Sequence, residues 1–437
     1  MFNHSLLRAL SAPLLAALLL TGCNNDTGSN ELPGGGHDHD HEPSVSVKKI
    51  GTPLRVTQVD GHHDVTQLAA FATGNKVLYL ITPERNLYEV FDWANGDATA
   101  TRKQHGFDGH GEHFLVLDTN GMLHIIETGT TAADWTYKAG VQVVSAASIS
   151  AGAKFTVSAV EDKVFITDPD PAYAADTGKI QVVDLDAGSL LTAIDLDFTP
   201  SSAGIAWTGV AGEHDHTVAA AAVPPAAHDD HPGRLVLASS TRAYVYDLEE
   251  EDMAGDFALD HAPAALYASP GYRYALITQR PAAAAHQVQF IDSGLYAHDD
   301  HVHEDAPTLL AFKLFGTTPA HYRRVDGLGA LFFDGGSGPR FVLFDDASLA
   351  AGRVIASENA LAAHHGVAEP RGEVVLVSKP DTSGILVYHR HDDHFHEEGT
   401  VDEACTGLHG AGSNALWSGF GCSDGVLVLG VEDDHDH

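Results

Sequence analysis

Residues 363–377 read AHHGVAEPRGEVVLV: two adjacent histidines, a glycine, a short turn and then an apolar run. The same order of histidine, small residues and apolar run recurs in AHYRRVDGLGALFFDG and in LHGAGSNALWSGFGCSDGVLVL. The aligned histidines are His321, His365 and His409, which are separated by equal intervals of 44 residues. A repeat of about 40–50 residues, each holding roughly four short strands, is typical of a β-propeller.

The repeat continues toward the N-terminus, where its spacing is less regular. Five further anchor positions occur, at His63, His105, Ser148, Ala203 and His261. Together the anchors predict eight blades, and seven blades are the alternative because some of the anchors are weak. Too few strands follow His409 to complete a blade, so we predict that an N-terminal strand within residues 44–59 closes the ring and removes the free sheet edges.

The composition of the segments between anchors supports an all-β domain over residues 45–431. Short apolar runs alternate with Gly, Asp, Asn and Pro, as expected for strands joined by turns. Asn120 and Gly121 lie between two such runs and predict a tight hairpin. Outside the N-terminal segment no stretch has a convincing helical period, which excludes a parallel α/β fold.

In a propeller, histidines at the start of successive inner strands converge on one channel. We therefore predict a metal site formed by the five strongest histidine anchors: His63, His105, His321, His365 and His409. Zinc takes three or four N or O ligands at about 2.0–2.2 Å. Three nearby carboxylates are candidates to orient an imidazole or to fill the fourth position: Asp64, Asp108 and Glu112. The alternative is that each histidine only hydrogen-bonds to its own turn.

Charge and residue counts also favour a cation as the partner. The chain has 24 Lys plus Arg against 60 Asp plus Glu, a formal charge of −36, which would repel nucleic acid. It contains 29 histidines but only 3 methionines. Imidazole with carboxylate suits zinc, with nickel and Cu(II) as alternatives, whereas Cu(I) prefers sulfur ligands. Because histidine must be neutral to bind a metal, affinity should fall as the pH drops through about 6.5.

The N-terminus predicts export and lipid attachment. Arg8 precedes an apolar stretch at residues 9–20, which is too short to span a bilayer, and LTGC follows at residues 20–23. This quartet resembles the lipobox of bacterial lipoproteins, which implies a signal peptide over residues 1–22 and lipidation of Cys23. We expect a periplasmic protein anchored in a membrane, and Asn24 is compatible with the outer membrane.

A polar segment over residues 23–44 follows the signal and predicts a flexible tether. Its three alternating histidines form a secondary, flexible metal-binding tract: His37, His39 and His41. Similar acidic, histidine-rich clusters recur, among them HRHDDHFHEE at residues 389–398 and the tail at residues 432–437.

Two cysteines remain once Cys23 is assigned to the anchor. Cys405 and Cys422 form an even pair in an oxidising compartment, so we predict a disulfide between them. A thiolate metal site is the alternative, but it is disfavoured because the pair lacks CxxC spacing.

The three registered segments and the histidine-aspartate tether resemble the periplasmic zinc metallochaperones that accompany an ABC-type zinc importer. This resemblance implies a propeller, a high-affinity zinc site built largely of histidine, and transfer of zinc to the importer's solute-binding protein. We expect a monomer that is not an enzyme. The lipid anchor is a departure, because a freely diffusing chaperone would be expected.

Two other classes of protein remain as alternatives. The first is a non-catalytic propeller scaffold whose histidine loops act as a zinc buffer or a binding surface. The second is a copper redox enzyme similar to the histidine-lined propeller of nitrous oxide reductase. It is disfavoured because the chain has no copper domain bearing cysteine and methionine.

Overall fold

The two ends of the propeller sequence meet in one sheet. In the computed structural model, β1 (Ser44–Gly51) pairs antiparallel with the last strand, β35 (Gly425–Glu432), along its whole length. The register runs from Ser44 opposite Glu432 to Gly51 opposite Gly425. This pairing confirms that an N-terminal strand closes the ring.

The structure describes residues 43–51, 55–72, 76–92, 100–143, 152–168, 178–210, 232–298, 301–336, 338–359 and 362–432. The chain divides into two units, residues 1–41 and 42–437, and every described residue lies in the second unit. Several predicted features lie outside the described residues: Cys23, His37, His39, His41, Ser148 and the tail beyond Glu432.

The strands of the described residues form nine antiparallel sheets: eight blades, which we number 1–8 in chain order, and one two-stranded hairpin. In each blade the first strand named is the inner one and the last strand named is the outer one. Blade 1 contains β2 (Val56–Asp60), β3 (Leu68–Ala72), β4 (Val77–Ile81) and β5 (Leu87–Asp92). Blade 2 contains β6 (Arg102–Phe107), β7 (His113–Asp118), β8 (Met122–Glu127) and β9 (Thr136–Gln142). Blade 3 contains β10 (Lys154–Val157), β11 (Lys163–Thr167), β12 (Lys179–Asp184), β13 (Ser189–Leu190) and β14 (Ile194–Asp195), and its outer edge is formed by both β13 and β14, which each pair with β12. Blade 4 contains β15 (Ile205–Gly209), β16 (Gly233–Ala238), β17 (Arg242–Asp247) and β18 (Asp252–Ala258).

The second half of the ring repeats this plan. Blade 5 contains β19 (Pro263–Ala268), β20 (Tyr274–Gln279), β21 (Gln287–Asp292) and β24 (Thr308–Phe315), with an inserted hairpin of β22 (Leu295–His298) and β23 (His301–Glu304). Blade 6 contains β25 (Pro319–Val325), β26 (Leu328–Phe333), β27 (Arg340–Phe344) and β28 (Ala356–Glu358). Blade 7 contains β29 (Ala368–Arg371), β30 (Val374–Ser378), β31 (Ile385–His391) and β32 (His394–Thr400). Blade 8 contains β33 (Ala411–Ser413), β34 (Ser418–Cys422), β35 and β1.

Helical structure is minor in the described part of the chain. A 3₁₀ turn spans Ala132–Asp134, and α1 spans Asp346–Ala350, where the Asp345 carboxylate accepts a hydrogen bond from the Ser348 N–H. Among the described residues, no helix is both long and apolar enough to cross a membrane. The all-β, eight-bladed prediction is therefore confirmed.

The core consists of apolar layers between neighbouring blades. The middle strands are buried on both faces, as in β30, where all five residues are buried. Phe332 and Phe341 of blade 6 pack in one cluster with Val375 and Val377 of blade 7. Full burial of each such side chain stabilises the fold by about 1.5–3 kcal/mol, which explains the continuous apolar runs in the sequence.

Neighbouring inner strands run in the same direction around the channel. A Cβ at Gly410 would lie 3.1 Å from the Gln58 Cα, and a Cβ at Gly412 would lie 2.5 Å from the Asp60 Cα, so the inner strands of blades 8 and 1 advance in parallel. All inner strands thus begin at one end of the channel, which we call the front mouth, and end at the other, the rear mouth. A residue's position relative to its inner strand decides which mouth it reaches.

Cys405 and Cys422 lie together in blade 8. Their Sγ atoms are 2.01 Å apart, at bonding distance, in the pairing predicted from the sequence. Both side chains are fully buried. Cys405 lies in the segment before β33, and Cys422 is the last residue of β34, so the pair connects these two parts of the blade.

Candidate metal site at the front mouth

Three of the five predicted ligands meet at the front mouth. His321 lies in β25, His365 shortly before β29 and His409 shortly before β33, so they come from three consecutive blades. The ring centroid of His321 lies 4.4 Å from that of His365 and 6.3 Å from that of His409. The centroids of His365 and His409 are 6.0 Å apart. We call these three residues the front triad.

Two members of the front triad are in direct contact. The Nε2 atoms of His321 and His365 are 2.9 Å apart. Two nitrogens bound to one tetrahedral zinc ion at about 2.0–2.1 Å would lie roughly 3.3 Å apart, so the pair is close to the spacing that zinc requires. A β-bulge between Pro319 and Tyr322 shifts the register of β25 where His321 lies.

Oxygen acceptors fix the protons of His365 and His409. The Nδ1 of His365 lies 2.6 Å from the Asp334 Oδ2, and the Nδ1 of His409 lies 3.3 Å from the Thr57 carbonyl oxygen. Neither oxygen can donate, so both rings carry their proton on Nδ1 and leave the Nε2 lone pair available. This is the arrangement by which a second group orients a metal-binding imidazole.

The front triad combines a half-buried histidine, His321, with two exposed ones. Burial, together with the neighbouring His365 and Arg323, lowers the pKa of His321 to about 4. The His365 side chain is 57% exposed, and His409 is also exposed. The site therefore has a neutral imidazole at its base and is open to solvent on the other side.

A network of charged groups lies deeper in the channel. The Arg323 Nε donates to the Glu369 Oε2 at 2.8 Å, and the Ser413 hydroxyl donates to the Glu369 Oε1 at 2.7 Å. Glu369 is fully buried. Because these residues lie in the inner strands of blades 6, 7 and 8, the network links the three blades that carry the front triad.

His105 belongs to this deeper network and not to the front triad. In each blade the inner strand pairs with the next strand up to the turn between them. His105, Arg323 and Glu369 each lie two residues before the last residue of the inner strand that is paired in this way. The Arg102 guanidinium donates to the His105 Nδ1 at 2.7 Å, and the His105 Nε2 lies 3.7 Å from the Asp60 Oδ2. Burial and these arginines lower the pKa of His105 well below its ordinary value. Burial raises the pKa of Asp60 to about 6, against the opposing effect of Arg323.

His63 reaches the rear mouth. It follows β2, whereas His365 and His409 precede their inner strands. The Thr57 carbonyl that contacts His409 lies near the start of β2, and a strand rises about 3.3 Å per residue, so β2 separates His63 from the front triad. The predicted site of five histidines is therefore corrected: His321, His365 and His409 lie together, whereas His105 and His63 lie elsewhere along the channel. The spacing in the sequence identifies the blade of each histidine but not its position along the channel.

The rear mouth contains a second histidine group, in which His62 joins the predicted His63 and Asp64. His62 stacks on His63 with ring centroids 4.3 Å apart, and one ligand atom each of His62, His63 and Asp64 lie within 4.8 Å of one another. Gly111 has a φ of 72°, and a Cβ there would lie 2.6 Å from the His62 Nδ1, so this close approach requires glycine. The adjacent histidines in GHHD were the signal in the sequence.

Both nitrogens of His62 are already used. The Asp64 backbone N–H donates to the Nδ1 at 3.2 Å, so the ring proton is on Nε2, which donates to the Gly109 carbonyl at 3.2 Å. Burial and the neighbouring His63 lower the pKa of His62 to about 4. His62 would have to give up a backbone hydrogen bond to bind a metal, which makes the rear mouth the weaker candidate.

The three predicted carboxylates lie on the rear side. The Asp64 Oδ2 is 3.0 Å from the His63 Nε2, and Glu112 is exposed in the β6–β7 loop. The Asp108 Oδ2 is 2.7 Å from the His113 Nδ1, and Lys138 Nζ lies 3.2 Å from the His113 Nε2. The carboxylate that contacts the front triad is instead Asp334, which follows the apolar run of β26.

The doublet His364–His365 divides its roles. The His364 Nε2 lies 2.9 Å from the Ser378 carbonyl oxygen, and its Nδ1 lies 2.9 Å from the Ala362 carbonyl oxygen. His364 therefore hydrogen-bonds to the backbone around the start of β29. Only His365 joins the front triad.

An eight-bladed propeller with three imidazoles converging at one mouth of its channel is a candidate metal-binding propeller. No protein-family model matches the chain. Over 149 residues the chain is 34% identical to the zinc chaperone AztD of Citrobacter koseri, and the match covers 32% of this chain and 35% of AztD. The predicted resemblance to zinc metallochaperones is thus confirmed, although the chain spans only about a third of the curated relative that it matches.

Two solved structures are also similar. Apo AztD from Citrobacter koseri is 25% identical with a TM-score of 0.37, and the match covers 44% of this chain and 52% of that chain. Sqt1 of Saccharomyces cerevisiae is 10% identical with a TM-score of 0.56, and the match covers 89% of this chain and 98% of that chain. The likeness to Sqt1 concerns the propeller fold alone.

Proposed function

We propose that the protein is a zinc metallochaperone that binds Zn²⁺ through His321, His365 and His409. The observation that carries this proposal is the convergence of three imidazoles from consecutive blades, two of which carry their protons on Nδ1. The similarity to the zinc chaperone AztD supports zinc as the cargo. Imidazole ligation without sulfur also suits zinc.

Zinc binding at the front triad requires little rearrangement of its first two ligands. In the metal-free protein the His321 Nε2–H donates to the bare Nε2 of His365, since that ring holds its proton on Nδ1. For His321 to bind zinc as a neutral imidazole, its proton would move from Nε2 to Nδ1, and the Nε2 atoms of both rings would then face the ion. Rotation of the exposed His409 then supplies the third ligand, and the network of Arg323, Glu369 and Ser413 holds the three blades in place.

Three protein ligands leave the fourth coordination position open. A ligand of the acceptor enters there before a histidine leaves, so zinc is never released to bulk solution. The exposure of His365 and His409 supports this exchange, because a partner protein can reach the ion directly. In this proposal the acceptor is the solute-binding protein of an ABC-type zinc importer, and the chain itself catalyses no reaction.

Capture and location complete the proposal. The formal charge of −36 attracts cations to the surface, and the tether carrying His37, His39 and His41 raises their local concentration. Lipidation of Cys23 holds the protein at the periplasmic face of a bacterial membrane, where it works as a monomer. The predicted disulfide between Cys405 and Cys422 is consistent with this oxidising compartment.

A transfer assay tests this proposal. Zinc-loaded protein is mixed with a candidate solute-binding protein in the presence of a competing chelator, and the zinc content of the acceptor is followed over time. We expect transfer faster than the chelator can intercept the ion, and loss of that transfer in His365→Ala but not in His63→Ala. If zinc left the protein for the acceptor and for the chelator at equal rates, the ion would be passing through solution, and direct transfer would be contradicted.

A further inference from the structure

A second histidine-rich surface lies on blade 7, in the hairpin of β31 and β32. The sequence HRHDDHFH places two alternating histidines on each side of an Asp392–Asp393 turn, and Asp392 adopts a φ of 53°. The register pairs His389 with His396 and His391 with His394. Side chains alternate between the two faces of a strand, so all four imidazoles project from one face of the hairpin.

The opposite face of the hairpin anchors it to the ring. Tyr388 and Phe395 are buried, and their ring centroids lie 5.4 Å and 4.9 Å from that of Phe341 in blade 6. The Tyr388 hydroxyl also donates to the Glu397 Oε2 at 3.2 Å. The histidine face is therefore held on a packed hairpin, which is a more rigid support than a loop.

The ligating atoms on this face are close enough to share an ion. One ligand atom each of His389, His391 and Glu398 lie within 4.8 Å of one another. The ring centroid of His396 lies 4.9 Å from that of His391, and its Nε2 lies 3.2 Å from the Nε2 of His394. His396 and His394 therefore extend the histidine face beside this group.

We propose that this face is a second zinc site, in which His389, His391 and Glu398 hold one Zn²⁺ ion. The donor set of imidazole and carboxylate is the one that zinc favours. The His389 Nε2 also lies 3.7 Å from the Glu373 Oε2, which adds negative charge beside the ion. We call this group the hairpin site.

The hairpin site differs from the front triad in how it is assembled. All its ligands come from one pair of adjacent strands, so it does not depend on convergence of three blades. It is also largely open, since His394 at its edge is 57% exposed. The hairpin site therefore loads and empties independently of the front triad and gives the folded domain a capacity of two zinc ions.

The proposal is tested on the full chain with zinc chloride as the probe. Zinc bound per chain is measured by equilibrium dialysis against zinc buffers for the wild type and for the double variant His389→Ala/His391→Ala. We expect the double variant to bind one zinc ion fewer per chain, or to bind it at least 100-fold more weakly. His261→Ala serves as a control, because His261 belongs to neither site, and should leave the stoichiometry unchanged.

Two further measurements keep the test decisive. His365→Ala should keep the hairpin zinc, so failure of the front triad and failure of the hairpin site give different results. If the double variant is less folded by circular dichroism, the single variant His391→Asn is measured instead. Unchanged zinc binding in a folded variant, or crystals soaked in zinc that show no anomalous density beside His391, would overturn the proposal.

Discussion

The two mouths of the channel both contain clustered histidines, but they use them differently. At the front mouth, His365 and His409 direct their Nδ1 protons to Asp334 and to the Thr57 carbonyl, and leave Nε2 available. At the rear mouth, both nitrogens of His62 are engaged with backbone groups. A metal site therefore depends on the hydrogen bond made by the second ring nitrogen as much as on the number of histidines.

Burial alone does not distinguish the two mouths. It is the main cause that lowers the pKa to about 4 for both His321 and His62, and a neighbouring histidine contributes in each case. Both imidazoles are thus neutral at pH 7. What separates them is that the His321 Nε2 faces another imidazole, whereas the His62 Nε2 faces a carbonyl oxygen.

The two mouths should differ most in zinc affinity. Zinc sites with four protein ligands contribute about 10–16 kcal/mol, so one ligand contributes roughly 3 kcal/mol, or about 100-fold in affinity. We expect His321→Ala to weaken the tightest zinc binding by about that factor, as measured by competition with a chelator. The matched variant His63→Ala should change it by less than about threefold. The reverse order would assign the tight site to the rear mouth.

A smaller change is expected from the carboxylates behind each histidine. Loss of a group that orients a zinc ligand typically costs about 10–100-fold in affinity, so Asp334→Ala should weaken zinc binding within that range. Asp64→Ala, which removes the corresponding carboxylate at the rear mouth, should have almost no effect. The same competition assay compares the two variants, and similar losses in both would show that long-range charge, not orientation, controls affinity.

A still smaller difference concerns the pH dependence of stability in the metal-free protein. The pKa of His62 is about 4 in the folded state and about 6.5 when unfolded, so the unfolded state binds more protons between these values. Stability therefore falls as the pH drops from 6.5 toward 4. Between pH 7 and pH 5 the free energy of unfolding of His62→Gln should fall by about 1–2 kcal/mol less than that of the wild type, as measured by urea unfolding.

The measurement at pH 7 provides the internal control for this last prediction. Loss of the hydrogen bonds of His62 changes the free energy of unfolding by the same amount at every pH. Removal of the titrating imidazole instead changes how steeply the free energy of unfolding varies with pH. If the free energies of unfolding of variant and wild type fell in parallel as the pH dropped, folding would not lower the pKa of His62, and the prediction would be contradicted.

The repeat in the sequence predicted the fold well, because blade formation is a local property. Alternating apolar residues and turns specify each four-stranded unit, and the 44-residue interval then places His321, His365 and His409 at similar positions in blades 6, 7 and 8. The anchors at Ala203 and His261 also precede the inner strands of different blades. Insertions lengthen the intervals between blades without changing their number.

The same repeat could not fix the position of a residue along the channel. His105 lies within its inner strand and His63 beyond the end of its strand, and a shift of a few residues moves a side chain by about 3.3 Å for each residue. Asp334 was missed because its partner His365 lies in the next blade. Contacts of this kind arise from packing between repeats and leave no spacing signal in the chain.

The amino-acid sequence was sufficient to predict an acidic, histidine-rich, all-β chain with eight repeats, or seven as the alternative, because composition and strand periodicity are encoded residue by residue. Which imidazoles face one another, and which nitrogen of each ring remains free to bind a metal, depended on the folded ring. The physical reason is that ring closure brings residues from different blades into contact, and the hydrogen bonds made in those contacts fix each histidine's tautomer and direction.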